Sequence, residues 1–295
     1  MTESAPREVA VIGAGGFIGQ AVTRHLMDSG HRVHPVLRDT NPDDWPAGVD
    51  VAVFAAGNSS TRVSLADPVR CLEDNVAALD RYLLGLRARR FVFLSSLSVY
   101  PVGRARKGED DVIALDSIPL YGAHKLLAER HVAEFAREWV CLRLGSLFGP
   151  GLKKNLFHDL KIGGRDVWLT RDSKMAPLDV RDAARAVADI ALSDGLGVIN
   201  LASRHVVTVD EVLALKPGDY RFHEERHIDE SGVALDRQGR VWQENLDRRR
   251  ISRPSDVSSR ERGNRAVTQL PPRARAGAQV EDSTKRHTGF TCLLA

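Results

Sequence analysis

The chain has 295 residues, 43% hydrophobic, 6% aromatic and 27% charged, with a formal net charge of +3. That balance fits a globular protein with one large α/β domain or two domains sharing a cleft, and it excludes collagen-like, wholly disordered and membrane-embedded classes. Three distant cysteines, Cys71, Cys141 and Cys292, have no paired spacing, which argues against a disulfide framework or a cysteine zinc site and points to a reducing cytoplasm.

The N-terminus lacks a cationic start followed by an apolar core, and no apolar run reaches the ~18 residues of a membrane span, so neither export nor a membrane partner is expected. The small basic excess gathers late in the chain without interleaved aromatics, so no nucleic-acid partner is expected either.

From Val9, "VAVIG" reads as a short strand, followed by glycines, a helix over about 18–29 and a second strand in "GHRVHPVLR". Further apolar runs follow at 50–57, 89–96 and 139–145, separated by helical patterns at about 67–87 and 121–137. Strands that are continuously apolar are buried on both faces, and helical crossovers between them specify a parallel sheet. The fold class is therefore α/β, a Rossmann-like doubly wound parallel sheet.

After "LFGPG" (147–151) a smaller region begins, with a strand in "DVWLT", a helix over about 180–192, a strand in "GVINLAS" and a helix capped by Thr208. The expected division is a dinucleotide-binding domain over 1–150, to which later segments return, a substrate-binding region over 151–245, and an Arg-rich tail over 246–295 whose composition predicts disorder.

"IGAGGFIGQ" sets Gly13, Gly16 and Gly19 directly after the first strand and at the start of the first helix. The first glycine allows the tight turn, the second lets a pyrophosphate approach, the third lets helix and strand pack closely, and the helix N-terminus offers oriented N–H groups to the anion. Phe17 and Ile18 within this turn, and Ala55, Ala56 and Gly57 closing the run at 50–57, complete the candidate cofactor-binding set. The second strand ends in Leu37, Arg38 and Asp39. A guanidinium beside the adenosine ribose favours a 2′-phosphate, so Arg38 favours NADP(H) over NAD(H), whereas Asp39 facing the ribose would restore NAD.

In "PLYGAHKLLAER", Tyr121 and Lys125 stand four positions apart, on one face of a helix. A free phenol ionises near ~10 and needs a nearby cation to move protons at neutral pH.

With "GAGGFIG", "VAVFAAG", "DNV", "FVFLSSLSVY", "YGAHK", "LRLGSLFGPG" and "PLDVRDAARAV" in this order, the chain from Val9 to about Leu215 resembles the extended short-chain dehydrogenase/reductases, the NAD-dependent epimerase/dehydratase family, in its nucleotide-sugar-modifying type. The resemblance implies that Ser96, at the family's interval before the tyrosine, joins Tyr121 and Lys125 as a catalytic residue. Tyr121 would exchange a proton with the substrate oxygen, Ser96 would hold that oxygen, and Lys125 would also bind the nicotinamide ribose. It further implies substrate contacts at Ser96, Ser98 and Asn155, and a homodimer built on the helices at 67–87 and 121–137.

The pattern also departs from the family. Leu97 and Ser98 occupy the positions where its dehydratases carry an Asp-Glu pair, so dehydration is not expected. Between Arg38 and Asp50 the chain is too short for the family's third strand and helix, so one sheet edge should be trimmed. Met175 stands where the family places a diphosphate-binding arginine, with Arg171 or Lys174 as substitutes. The expected activity, led by Arg38, is reduction of a keto group on a nucleotide-activated sugar, with an epimerase as the alternative and a non-catalytic NADP sensor as the alternative of another class. "FHEERH" also holds His223, Glu224 and His227 in the HExxH arrangement of zinc peptidases, in a turn-rich and charged context that disfavours a metal site.

Overall fold

The computed structural model describes residues 5–233, except 60 and 104; the tail at 246–295 lies outside the described residues. Six strands form one parallel sheet: β1 (Glu8–Ile12), β2 (Arg32–Val36), β3 (Val49–Phe54), β4 (Ala88–Ser96), β5 (Glu138–Leu144) and β10 (Gly197–Leu201), in the order β10-β5-β4-β3-β1-β2. The chain runs outward from β1 to β2 and then returns to β3 on the other side of β1. That reversal opens a crevice at the carboxyl ends of β1 and β3, where α/β sheets bind ligands.

Strand residues alternate between two cores. Val9, Val11, Val51, Val53, Val92 and Leu94 pack against α1 (Phe17–Asp28) and α7 (Val180–Leu192). Their neighbours Ala10, Ile12, Ala52, Phe54, Phe91 and Phe93 pack against α4 (Ala78–Gly85) and α5 (Leu120–Phe135). Both faces are covered, as the uninterrupted apolar runs require.

The trimmed edge is present. A single 3₁₀ turn, Pro42–Asp44, replaces a strand and helix, leaving β2 at the border. Trp45 folds back over the sheet and stacks on Tyr82, with ring centroids 4.6 Å apart. Gly85 makes room for it, since a Cβ there would lie 2.7 Å from the indole.

The helical stretch at 67–87 is built in three parts: α3 (Pro68–Leu72), started by the Asp67 cap, a π-helical turn at Glu73–Ala77, and α4. A six-residue helix, α2 (Thr61–Ala66), precedes it.

Beyond β5 come β6 (Leu147–Phe148), α6 (Leu156–Lys161), β7 (Asp166–Leu169), β8 (Lys174–Met175) and β9 (Leu178–Asp179), and after β10 come β11 (Val207–Thr208), α8 (Val209–Ala214) and β12 (Arg221–Arg226). Three two-stranded pairings, β11-β8, β12-β7 and β6-β9, stand apart from the main sheet. Leu156, Phe157, Val167, Met175, Val209 and Val212 give this lobe its own core. "GVINLAS" is not part of it: β10 pairs with β5, so that strand and α7 return to the dinucleotide-binding sheet. Thr208 caps α8 through a reciprocal capping box with Glu211.

Candidate active site

The glycine turn lies at the mouth of the crevice. Gly13 has φ +82°, and a Cβ there would sit 2.7 Å from the Ala56 nitrogen, so β1 and the end of β3 can meet only at glycine. A Cβ on Gly19 would lie 2.1 Å from the Gly13 carbonyl oxygen, so α1 can leave the turn at this angle only without one. Gly16 occupies the N-cap of α1 with no side-chain cap, which leaves the first N–H groups of the helix, Phe17 and Ile18 among them, directed at the crevice. Exposed glycines, a positive helix terminus and Ala55–Gly57 opposite them fit a dinucleotide.

Gly57, at φ +109°, abuts Asn75, whose amide holds the β3 loop from both sides. Its Oδ1 accepts from Asn58 N at 3.1 Å, and its Nδ2 donates to the Asn58 and Cys71 carbonyls at 3.1 and 3.0 Å. Asn75 stood in the sequence as the centre of "DNV", without a role. A buried asparagine inside a helix, here within the π turn, was the signal for one.

Arg38 and Asp39 both lie exposed beyond the end of β2. Leu37 turns toward the glycine loop, 3.4 Å from where a Gly15 Cβ would be.

Ser96 ends β4 and starts a 3₁₀ turn over Leu97–Val99, its Oγ accepting from Ser98 N at 3.1 Å. Gly122 lets α5 press on this turn, since a Cβ there would lie 2.0 Å from the Ser98 carbonyl oxygen. The contact brings Tyr121 into hydrogen-bonding reach of Ser96. Tyr121 is 6% exposed, and burial pushes its phenol up to about 12. The Ser96 hydrogen bond opposes that rise, Cys71 adds to it, and the Arg226 guanidinium pulls the other way.

Lys125 is on the same face of α5 and 4% exposed. Its Nζ donates to the Leu94 carbonyl at 3.0 Å and sits 4.6 Å over the Phe93 ring. Burial brings its ammonium down to about 8, while Glu129 acts to raise it. Thus Ser96 and Tyr121 come together, while Lys125, on the same helix face, is turned to a main-chain carbonyl and Arg226 is the cation that acts on the phenol.

Arg226 closes β12 on the far side of the crevice and interacts with both Tyr121 and Glu230. Glu230 is itself held by Ser146 N at 3.1 Å, Ser146 Oγ at 2.9 Å and Ala176 N at 2.8 Å. Burial raises its carboxyl, against those hydrogen bonds. Sequence reasoning passed over Arg226 because "HEERH" drew attention to its histidines.

The segment carrying those histidines is a strand. His223 Nε2 bonds Asp166 Oδ1 at 2.9 Å and stacks on Trp168, while His227 Nδ1 bonds Thr170 Oγ1 at 2.7 Å. The two imidazoles therefore take separate partners, and among the described residues no group of three or more His, Cys, Asp or Glu could hold a metal ion.

Asn155, the one described non-glycine with positive φ, at +101°, uses its side chain to cap α6, accepting from Phe157 N and His158 N and donating to the Leu147 carbonyl. Met175 is core, Arg171 is paired with Asp210 and lies over Phe222, and Lys174 is exposed.

A six-stranded parallel sheet with a glycine turn and an uncapped helix terminus after its first strand defines a Rossmann-type α/β fold. The chain belongs to the NAD dependent epimerase/dehydratase family, whose model matches residues 9–202. No curated protein matches the chain. Among solved structures it is similar to MoeE5 in complex with UDP-glucuronic acid and NAD, at 23% identity and TM-score 0.70, covering 80% of this chain and 92% of that one. It is also similar to the UDP-N-acetylglucosamine 4-epimerase of Methanobrevibacter ruminantium M1 in complex with UDP-N-acetylmuramic acid, at 20% identity, TM-score 0.65, and 86% and 94% coverage. A third is the UDP-glucuronic acid 4-epimerase of Bacillus cereus with UDP-glucuronic acid and NAD, at 16% identity, TM-score 0.67, and 80% and 93% coverage.

Proposed function

We propose that the protein is a nucleotide-sugar epimerase that acts by reversible oxidation at a sugar carbon with a bound nicotinamide dinucleotide. The observation that carries this reading is the Ser96–Tyr121 hydrogen bond, with Lys125 on the same helix face, at the carboxyl edge of the sheet that also carries the glycine turn. The likeness to solved UDP-sugar 4-epimerases supports it over the ketoreductase that Arg38 alone suggests. Leu97 and Ser98, in place of an acid pair, speak against dehydration.

A bound nicotinamide supplies hydride transfer; the chain supplies proton movement, orientation and anion binding. Tyr121 takes the proton of the sugar hydroxyl and returns it to the carbonyl oxygen of the keto sugar, while Ser96 fixes that oxygen. Arg226, beside Glu230, meets the negative charge of the nucleotide sugar in place of the arginine that Met175 replaces. Two buried free thiols, Cys71 and Cys141, suit a reducing compartment. Apolar side chains exposed on α3, α4 and α5 support a homodimer.

The test is incubation with NAD, and separately with NADP, and each of UDP-glucose, UDP-glucuronic acid and UDP-N-acetylglucosamine, followed by proton NMR of the sugar. The expected result is conversion to the 4-epimer without net reduced cofactor, abolished by Tyr121→Phe. Net NADPH consumption on a 4-keto sugar nucleotide would establish the reductase instead, the reading Arg38 favours. Cofactor binding with neither reaction would remove both.

A further inference from the structure

The buried ionic network behind Lys125 has no part in the chemistry so far. Glu129 lies one helical turn further along α5, on the same face, and is 5% exposed. Arg143, on β5, grips it as a fork: Nε donates to Oε1 and Oε2 at 3.1 and 3.2 Å, and Nη2 to Oε2 at 2.7 Å. Ser95 Oγ, on β4, donates to Oε1. Arg143 Nη1 donates to the Tyr100 hydroxyl at 2.8 Å, which donates in turn to Asn200 Oδ1 on β10 at 2.9 Å. The carboxylate is therefore fixed from β4 and β5 and braced through β10. Buried ion pairs of this kind are commonly replaceable by packed apolar side chains without loss of stability, so stability alone gives no reason for charge here.

A reason lies one turn away. Lys125 is buried with a carbonyl and an aromatic face as its neighbours, and neither bears a full negative charge. Cys71 on α3 and Cys141 on β5 act on it, but burial holds both as neutral thiols. On α5 itself, burial likewise disfavours charge on Tyr121 and on His124. Asp74, in the π turn, is bound to Arg70 and Asn58, and Asp80, on α4, to His131. Glu129, one helical turn away on the same face, is the carboxylate that acts on Lys125 even with Arg143 bound to it.

We propose that Glu129 is a positioning residue: its carboxylate, locked by Arg143 and Ser95, is the fixed counter-charge of the Lys125 ammonium and holds it against the Leu94 carbonyl. The inference rests on the reading of Lys125 as part of the reacting site.

The test compares wild type with Glu129→Gln and with the pair Glu129→Gln/Arg143→Met, which removes both charges and strands no guanidinium. Lysine-labelled protein is titrated by carbon NMR, the Lys125 resonance being assigned through Lys125→Arg. In Glu129→Gln the transition at about 8 should move down by about one unit or more, and by less in the double variant, where loss of the Arg143 cation opposes loss of the carboxylate; the alkaline limb of kcat should follow it. A Lys125 titration unmoved in folded Glu129→Gln, or as low in the double variant as in the single one, overturns the proposal. The titration does not depend on turnover, so failure of the underlying reading, seen as undiminished activity in Tyr121→Phe, is separately visible.

Discussion

Tyr121 and Lys125 are both buried in the state less suited to bulk water, and this ties their chemistry to stability. Lys125 has its ammonium lowered from 10.5 to about 8, so above pH 8 the unfolded chain holds a proton at this site that the folded chain has lost. Stability from this group therefore rises with pH between about 8 and 10.5. At about 1.4 kcal/mol per unit, wild type should gain about 3 kcal/mol over Lys125→Met across that window, read from urea midpoints at pH 7.5 and 10.5. Tyr121 works oppositely. Its phenol, raised from 10.0 to about 12, contributes stability that is present below pH 10 and lost as pH rises toward 12. Tyr121→Phe should thus flatten the fall above pH 10 and leave the Lys125 rise intact. A parallel pH dependence in all three proteins would deny that the two side chains are buried as described. The pair was legible in the sequence because i,i+4 spacing is local. Arg226 was not, because it reaches Tyr121 only after β12 pairs with β7 and returns the chain to the crevice.

At the level of the element, the glycine turn separates two effects that sequence patterns confound. Gly30 also has positive φ, at +82°, but a Cβ there meets nothing within 4 Å. Gly30→Ala should cost about 1 kcal/mol of backbone strain and leave dinucleotide affinity unchanged. Gly19→Ala drives a methyl into the Gly13 carbonyl, so it should destabilise by about 1–3 kcal/mol and weaken dinucleotide binding at least about tenfold. Calorimetric titration with NAD and NADP checks both; equal affinities in the two variants would mean that the turn does not cradle the cofactor. The turn was readable because its constraint is written in consecutive residues, as were the strands, the Thr208 cap and the trimmed edge at 38–50. The placement of β10 beside β5 rests on pairing across more than fifty residues, which no local pattern encodes. The HExxH spacing, already disfavoured by its charged and turn-rich context, has an i,i+4 logic that presumes a helix. His223 stands instead on β12 and His227 just beyond it, and the two imidazoles take separate partners on β7 and the turn after it.

For the whole molecule, the sheet's two faces are unequal. The helices on the α1 and α7 face show one large apolar side chain to solvent, Met27 at 47%, whereas those on the other face show several, among them Val69 at 65% exposure on α3, Leu84 at 70% on α4 and Phe135 at 56% on α5. Single exposed apolar residues are ordinary, but several on three packed helices would suit a partner surface. A second copy is the occupant the family resemblance suggests, and a twofold axis would set each surface on itself. Because α5 carries Tyr121 and Lys125 on its inner side, covering its outer side also braces the reacting groups. Sedimentation equilibrium should show a dimer of the full chain. Leu84→Asp/Phe135→Asp should give monomers, with a melting temperature that no longer rises with protein concentration and a reduced kcat. A wild-type monomer at assay concentrations would remove the dimer. An active monomeric variant would show that α5 holds its catalytic face without help from outside.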